Sequence, residues 1–358
     1  GKETDVDLGS AIPRPGRELR SAASLARRGL RVAWAIVALV LAMSGSGRAE
    51  QLDAIRARGF LACGIPPESA PGFSAREPSG RASGFDVDFC RAVAATIFGD
   101  GNKIRVYPVE TERDFLQNDD IDVAFHGPSW NFSRELSSGL AFGPVIFHDG
   151  QAFLARRASG FQSLEGAGKA SICVQGNTRF ASNLLAYVRD TGAEASVREM
   201  PGRLSARAAF LGGQCDLLTD DASALVTMTA GQGDAFEILP DRISKEPMAP
   251  AVRRADESLL AIVRWTIYAV IEAEEIGITA ATINEPVPGR RAIADLFDLP
   301  AASALGLSND WAYRTIKAVG NYGEIYDRNL AGPAMPRMQR GLNENWTRGG
   351  LMYAPPLR

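Results

Sequence analysis

The chain has 358 residues, 46% of them hydrophobic and 8% aromatic, enough for a large core and a length suited to two domains. Its 39 basic and 42 acidic residues leave a net charge of −3 with no basic stripe, which argues against nucleic acid as a partner. With two histidines, and four cysteines none of which forms a Cys-x-x-Cys pair, structural zinc is not expected either.

The N-terminal stretch is irregular and ends on Arg27, Arg28 and Arg31. A short apolar run, Val32 to Met43, follows, and then small residues up to Ala49. Basic flank, short apolar run and small residues together predict a secretory signal over residues 1–49. The run is short for a bilayer span, which disfavours the alternative of an uncleaved anchor. That segment carries 8 of the basic and 4 of the acidic residues, so its removal leaves a net charge of about −7. An exported chain with Cys63, Cys90, Cys173 and Cys215 is expected to form two disulfides, with three pairings open.

Along the mature chain, Gln51–Gly59 reads as a short helix stopped by glycine and Phe60–Ile65 as a buried strand. Pro66–Arg81 is a proline-rich loop. Phe85, Phe89, Val93 and Ile97 recur at four-residue spacing, which predicts a helix over 84–99 with Gly99 as its C-cap. Strand Ile104–Val109, helix Glu112–Asn118 and strand Ile121–Phe125 continue the alternation. A second series opens at strand Gly150–Arg156. It runs through strand Ser171–Gln175, helix Arg179–Asp190, strand Ala195–Met200 and helix Leu204–Leu211. Strand Cys215–Thr219, helix Ala222–Ala230 and strand Phe236–Leu239 complete it. Repeated alternation of this kind predicts parallel sheet. One internal echo joins the two series: Phe115-Leu116 precedes Ile121-Asp122-Val123 as Phe210-Leu211 precedes Cys215-Asp216-Leu217. Helix Asp256–Glu275 is capped by Asp256 and striped by Leu259, Ile262, Val263, Thr266, Ile267, Val270 and Ile271, read as core packing. Glu272, Glu274 and Glu275 at its end read as a solvated face. Residues 284–304 are a connector and Asn309–Lys317 is a helix. The last forty residues, rich in Gly, Pro and Asn, read as a covering segment.

Ile121–Arg134 is the stretch with most chemistry. It starts as a buried strand, breaks at Gly127-Pro128, and presents Ser129, Trp130 and Arg134. A strand end that delivers polar groups into a crevice is where open α/β sheets hold ligands. From the residues alone, the favoured reading of Arg134 is a surface arginine paired with Glu135.

Several motifs carry a family resemblance. They include Gly84-Phe-Asp-Val-Asp-Phe-Cys90, Ile121-Asp-Val123, Trp130 with Arg134-Glu135, Ile172-Cys-Val-Gln175, Ile243-Ser-Lys-Glu-Pro247 and Ala249-Pro-Ala-Val-Arg253. Leu305–Trp311, Val319–Ile325, Arg340–Asn343 and Tyr353–Pro356 extend them through the C-terminal part. With these the chain resembles the periplasmic family-3 solute-binding proteins of bacterial polar amino-acid ABC importers, in their general L-amino-acid-binding subgroup, from residue 51 to 358. The resemblance implies an α/β, two-lobed periplasmic-binding-protein fold. Each lobe would be a mostly parallel sheet with flanking helices, and two hinge strands would cross between them. Residues 50–150 plus 245–358 would form the first lobe, and residues 151–244 the second. The resemblance also implies pairing of the cysteines within lobes, Cys63 with Cys90 and Cys173 with Cys215.

The same resemblance implies a ligand site for a zwitterion. Arg134 matches the carboxylate-binding arginine, and a guanidinium fork suits that role. Ser129 and the backbone at Gly127 stand beside it. Asp221 matches the ammonium-binding aspartate, with Asp220 one residue away and a helix cap at Ala222 as the alternative for either. The loop Gln175-Gly-Asn-Thr-Arg179 matches an anion-favouring helix N-terminus, with Thr178 on a family threonine. Asn177 stands where the family has glycine, and Asn tolerates the left-handed turn. Arg179 replaces a second threonine, a cation set against the helix dipole that a second ligand carboxylate would offset. His126 replaces an arginine and Pro128 a threonine, departures that imply altered ligand preference. Phe73 is a candidate apolar wall and Glu68 a candidate partner for a basic side chain, each with loop surface as the alternative.

The expected partners are a small-molecule amino acid and the membrane permease of an ABC importer. The protein is expected to act in the periplasm, of Gram-negative type, as a monomer without cofactor. The competing readings are a dehydratase-like periplasmic enzyme on the same fold and a sensory or non-binding paralogue. No Ser–His–Asp order, metal cluster or phosphate loop supports an enzyme, and His126 is the one candidate acid–base histidine near the ligand.

Overall fold

The computed structural model describes residues 1, 50–66, 71–109, 111–125, 129–285, 298–332 and 338–357. The chain divides into two compact units, residues 1–50 and 51–358, and the elements below belong to the second but for the first residue of α1. The expected signal segment, Glu68, His126, Gly127 and Pro128 lie outside the described residues.

In chain order, α1 (Glu50–Arg58) leads into β1 (Leu61–Ile65). Then come a small hairpin, β2 (Ala75–Arg76) with β3 (Ala82–Ser83), and α2 (Phe85–Phe98). β4 (Ile104–Pro108), α3 (Glu112–Leu116), β5 (Val123–Ala124), α4 (Phe132–Ser137) and β6 (Leu140–Phe142) complete the first run. The chain crosses on β7 (Phe147–Asp149) into β8 (Gln151–Arg156), β9 (Ser171–Gln175), α5 (Arg179–Thr191), β10 (Ser196–Met200) and α6 (Arg203–Leu211). β11 (Leu217–Asp221), α7 (Ala222–Thr229) and β12 (Phe236–Ile238) follow. It returns on β13 (Glu246–Met248) to β14 (Ala251–Arg253), α8 (Glu257–Glu275), α9 (Trp311–Val319) and α10 (Tyr322–Leu330).

Two five-stranded sheets result, ordered β4-β1-β5-β14-β6 and β10-β9-β11-β8-β12. In each, four strands share one direction and a single strand, β14 or β8, runs against them. The helix–strand alternation foretold the parallel part. The antiparallel strands β14 and β8 are those adjoining the crossings, whose direction local alternation does not encode. Between the sheets, β7 and β13 form an antiparallel pair with Asp149 opposite Glu246.

The internal echo is structural. Asp122 accepts from the backbone N–H of Ala62 on β1 at 2.8 Å, and Asp216 accepts from that of Ser171 on β9 at 2.7 Å. Phe115 and Phe210 are both buried, each beneath an arginine of the antiparallel strand of its sheet, β14 or β8. The Arg253 guanidinium lies 4.9 Å from the Phe115 ring and donates to the carbonyls of Phe115 and Ile121. Arg156 lies 4.5 Å from the Phe210 ring and donates to the carbonyls of Phe210 and Cys215. One device, an Asp that accepts from the neighbouring strand's backbone and an Arg over a Phe, is built twice.

Disulfides join Cys63 to Cys90, tying β1 to α2, and Cys173 to Cys215, tying β9 to the chain just before β11. α2 buries Phe85, Phe89 and Val93 and ends on Gly99 in the left-handed conformation, φ 71°. Gly84 has φ 128°, and a Cβ there would lie 2.3 Å from the Phe73 carbonyl oxygen, so only glycine fits. Inside the first core, Thr96 of α2 hydrogen-bonds Thr266 of α8 and Thr315 of α9, both at 2.8 Å. These buried hydroxyls satisfy one another and so fix how the three helices register.

The C-terminal part departs from expectation. Tyr322–Leu330 is a full helix, begun by a capping box between Asn321 and Glu324. Its Asn-x-x-Glu spacing was legible. Glu274 is not on a solvated face: it pairs with Arg340 through two hydrogen bonds, 2.6 and 2.9 Å, and also with Arg348. Asp256 occupies the N-cap position of α8 without a side-chain capping bond.

Candidate functional site

The C-terminal end of β11, the β9–α5 turn and the β7–β13 pair meet at one place. A cavity of 430 Å³ opens there, lined by Pro71, Phe73 and Met248 on one side and by Gln175, Phe180, Arg203 and Asp221 on the other. Phe73 is buried, edge-on to Phe147 at 5.1 Å and to Phe85 at 5.9 Å, so the ring that faces the cavity is held by the core.

Asp220 and Asp221 end β11 and are both buried. Asp220 accepts from the Asp221 backbone N–H at 2.8 Å and from Arg203 at 2.6 Å. Asp221 accepts from Arg179 on both oxygens at 2.9 Å. Neither side chain caps α7. Burial, with the Asp149 charge beside it, raises the Asp221 carboxyl from its ordinary 3.8 to about 7, although Arg179 pulls the other way.

The β9–α5 turn has the backbone that Asn177 permits: its φ is 57°, the one positive value among described non-glycine residues. Thr178 is the N-cap of α5. Its hydroxyl donates to the Gln175 carbonyl at 2.7 Å and accepts from the Ala181 N–H. Arg179 starts the helix against its dipole, and protein carboxylates offset this. Besides Asp221, Glu246 lies 3.3 Å from its guanidinium, and the Phe180 ring lies 4.2 Å beneath. The sequence expectation assigned that offset to a ligand carboxylate; in the structure β11 and β13 supply it.

Ser129 donates its hydroxyl to Glu246. Arg134, on α4, donates to the Ser129 carbonyl and lies 3.4 Å from Glu112. Glu135 does not pair with it, accepting instead from the Trp130 indole at 2.7 Å. A continuous chain of contacts therefore runs Arg134–Ser129–Glu246–Arg179–Asp221, from the first sheet's loops across the β7–β13 pair to the second sheet. His126 and Gly127, expected in this site, lie outside the described residues.

Sequence reasoning missed Glu246, Asp149 and Arg203. Glu246 lay in a motif used for likeness alone, and Asp149 just ahead of the expected strand Gly150–Arg156, where the structure has the end of β7. Their apposition depends on pairing between distant segments, which has no local signature. Asp149 and Glu246 face each other as like charges, an arrangement that costs stability unless offset. Ser223 hydrogen-bonds Asp149 through both its N–H and its hydroxyl, and Arg179 pairs with Glu246. Among the described residues, no group of three or more His, Cys, Asp or Glu could hold a metal ion.

The two sheets are joined by a strand pair, and a cluster of carboxylates and guanidiniums lies beside it. The sequence matches the bacterial extracellular solute-binding proteins, family 3, over residues 61–281. The chain belongs to that family. It is 40% identical over 334 residues to the general L-amino acid-binding periplasmic protein AapJ of Rhizobium johnstonii, covering 90% of this chain and 98% of that protein. It is 38% identical over 330 residues to the glutamate/glutamine/aspartate/asparagine-binding protein BztA of Rhodobacter capsulatus, covering 90% and 97%. Among solved structures, an ABC transporter periplasmic binding protein from Brucella ovis with glutathione bound superposes with a TM-score of 0.73 at 38% identity, covering 86% of this chain and 99% of that one. The family-3 lobes are thus the two sheets, and the family hinge is the β7–β13 pair. Among the described residues, no helix is long and apolar enough to cross a membrane.

Proposed function

We propose that this family-3 protein is a periplasmic receptor that binds an L-amino acid, polar or acidic by preference, and hands it to the permease of an ABC importer. Residues 1–49 would direct export. Residues 50–150 plus 245–358 would form one lobe and residues 151–244 the other, closing on the ligand as a monomer. Arg134, with Ser129 and the Gly127 backbone, holds the α-carboxylate, and Asp221 holds the ammonium. Phe73 covers the apolar part, and Thr178, Arg179 and His126 border the side chain.

The observation that carries this reading is Asp221, a buried carboxylate at the end of a central strand with a guanidinium seated on both its oxygens. Such a group needs a cation; Arg179 supplies it here, and a ligand ammonium is a cation that can take the same place. The ligands named for these relatives, L-amino acids and glutathione, all carry an ammonium and a carboxylate.

The test is calorimetry with a panel of L-amino acids, alongside Arg134→Ala. Tight binding without turnover supports the receptor, and product formation would overturn it in favour of an enzyme. Arg134→Ala should weaken every amino acid by roughly 2–5 kcal/mol, the cost of leaving one charged partner unpaired. Affinity retained within about threefold, under about 1 kcal/mol by the affinity conversion, would show the carboxylate is held elsewhere.

A further inference from the structure

Arg179 stands where the family pattern has a small hydroxyl, and it does something a threonine cannot. Its guanidinium spans two carboxylates from different parts of the molecule, Asp221 at 2.9 Å on both oxygens and Glu246 at 3.3 Å. The Phe180 ring supports it from below at 4.2 Å. It does so from the first position of α5, where a cation opposes the helix dipole. The position Arg179 fills on Asp221 is the one a ligand ammonium needs.

We propose that Arg179 is an internal counter-ion of Asp221 that an incoming ammonium must displace, and that it thereby selects ligands bringing a second carboxylate. This rests on the receptor reading above. Four carboxylates, Asp149, Asp220, Asp221 and Glu246, converge here. Arg203 is already engaged by Asp220 at 2.6 Å. When an ammonium takes Asp221, Arg179 loses both bonds to that carboxylate and keeps Glu246. Glu246 also accepts from Ser129 and Ser244, one on each oxygen, so it shares its charge with two hydroxyls already. A neutral amino acid offers the freed N–H groups at most an uncharged acceptor, such as the glutamine carboxamide oxygen. A dicarboxylic one supplies an acceptor with the planar geometry a guanidinium matches best. The discrimination thus comes from penalising the neutral competitor as well as rewarding the acidic ligand.

The matched pair L-glutamate and L-glutamine isolates the effect, because the two differ in side-chain charge and little in shape. Calorimetry on the wild type, Arg179→Thr and Arg179→Gln, each checked for a cooperative thermal transition, gives the glutamate-to-glutamine affinity ratio. Wild type should favour glutamate by about tenfold or more, the scale of one charge-assisted hydrogen bond. Both variants should lower that ratio to within about threefold while binding glutamine more tightly than wild type does. Arg179→Gln keeps a donor toward Asp221 without the charge, so it reports should Arg179→Thr fail to fold. Binding by wild type and variant with an unchanged ratio would overturn the selector role alone. Binding of no amino acid by any of the three proteins would overturn the receptor reading, and the selector role with it.

Discussion

Asp221 concentrates the site's electrostatics in one carboxyl group. Its pKa is raised from 3.8 to about 7, first by burial and then by Asp149. A group whose folded value lies above its unfolded one binds its proton more tightly in the folded state. Its contribution to stability is therefore full below about pH 4 and lost as pH rises through about 7. The melting temperature of the ligand-free protein minus that of Asp221→Asn should fall between those limits and level off above them. An ammonium favours the ionised carboxylate, so amino-acid binding near pH 6 should release protons from the wild type and fewer from Asp221→Asn. Calorimetry in buffers of different ionisation enthalpy reads that release, and equal release from both proteins would remove Asp221 from the ammonium site. At this scale the sequence offered Asp221 through the family likeness, with Asp220 one residue away as the alternative. It was silent on Glu246, whose role depends on what folds against it.

The β9–α5 turn shows an element built from a substitution that backbone physics tolerates. Asn177 holds φ at 57°, a conformation that asparagine adopts more readily than most residues and β-branched ones resist. Asn177→Gly should leave stability nearly unchanged, and Asn177→Val should cost roughly 1–2 kcal/mol by urea denaturation. An equal cost for both would mean that the asparagine side chain, rather than the backbone, matters. Elements with strong local signals were legible. α2 and α8 show helical stripes, and β9 lies where its apolar run ends in turn residues. β6, β7, β13 and β14 were not, because each is three residues long and is stabilised by its neighbours. Such strands carry too little pattern to distinguish from loop. α10 was missed although its capping box was present, since the surrounding Gly, Pro and Asn outweighed it.

Across the whole molecule, the C-terminal segment lies beyond the family match, which ends at residue 281, and it braces the hinge. The Asn343 side chain accepts from the His148 N–H at 2.6 Å and donates to the His148 carbonyl at 3.1 Å. It thus serves the edge of β7 as a neighbouring strand would. Arg340, two-pronged on Glu274, packs against the Tyr322 and Tyr326 rings, and Tyr322 donates to the Ile146 carbonyl at 2.9 Å just before the hinge. Asn343→Ala leaves two backbone groups of β7 without these partners and should cost roughly 2–4 kcal/mol of unfolding free energy. Its β7 amide protons should exchange faster, while those of β9, in the other lobe, should not. Acceleration that is uniform through both lobes would show a global loss and no special hold on the hinge.

The sequence by itself determined the elements with strong periodicity, the doubled Phe–Asp echo, the family likeness and the candidates Arg134, Ser129, Asp221 and Arg179. All of these follow from residues near one another in the chain or from motifs read along it. Tertiary structure alone decided the antiparallel strands at the crossings, Asp149 facing Glu246, Glu274 gripping the C-terminal segment and Arg179 seated on Asp221. Each of these joins segments far apart in the chain. Their energy comes from burial and from charges brought within hydrogen-bond reach, quantities that exist once the lobes have formed and that no local pattern encodes.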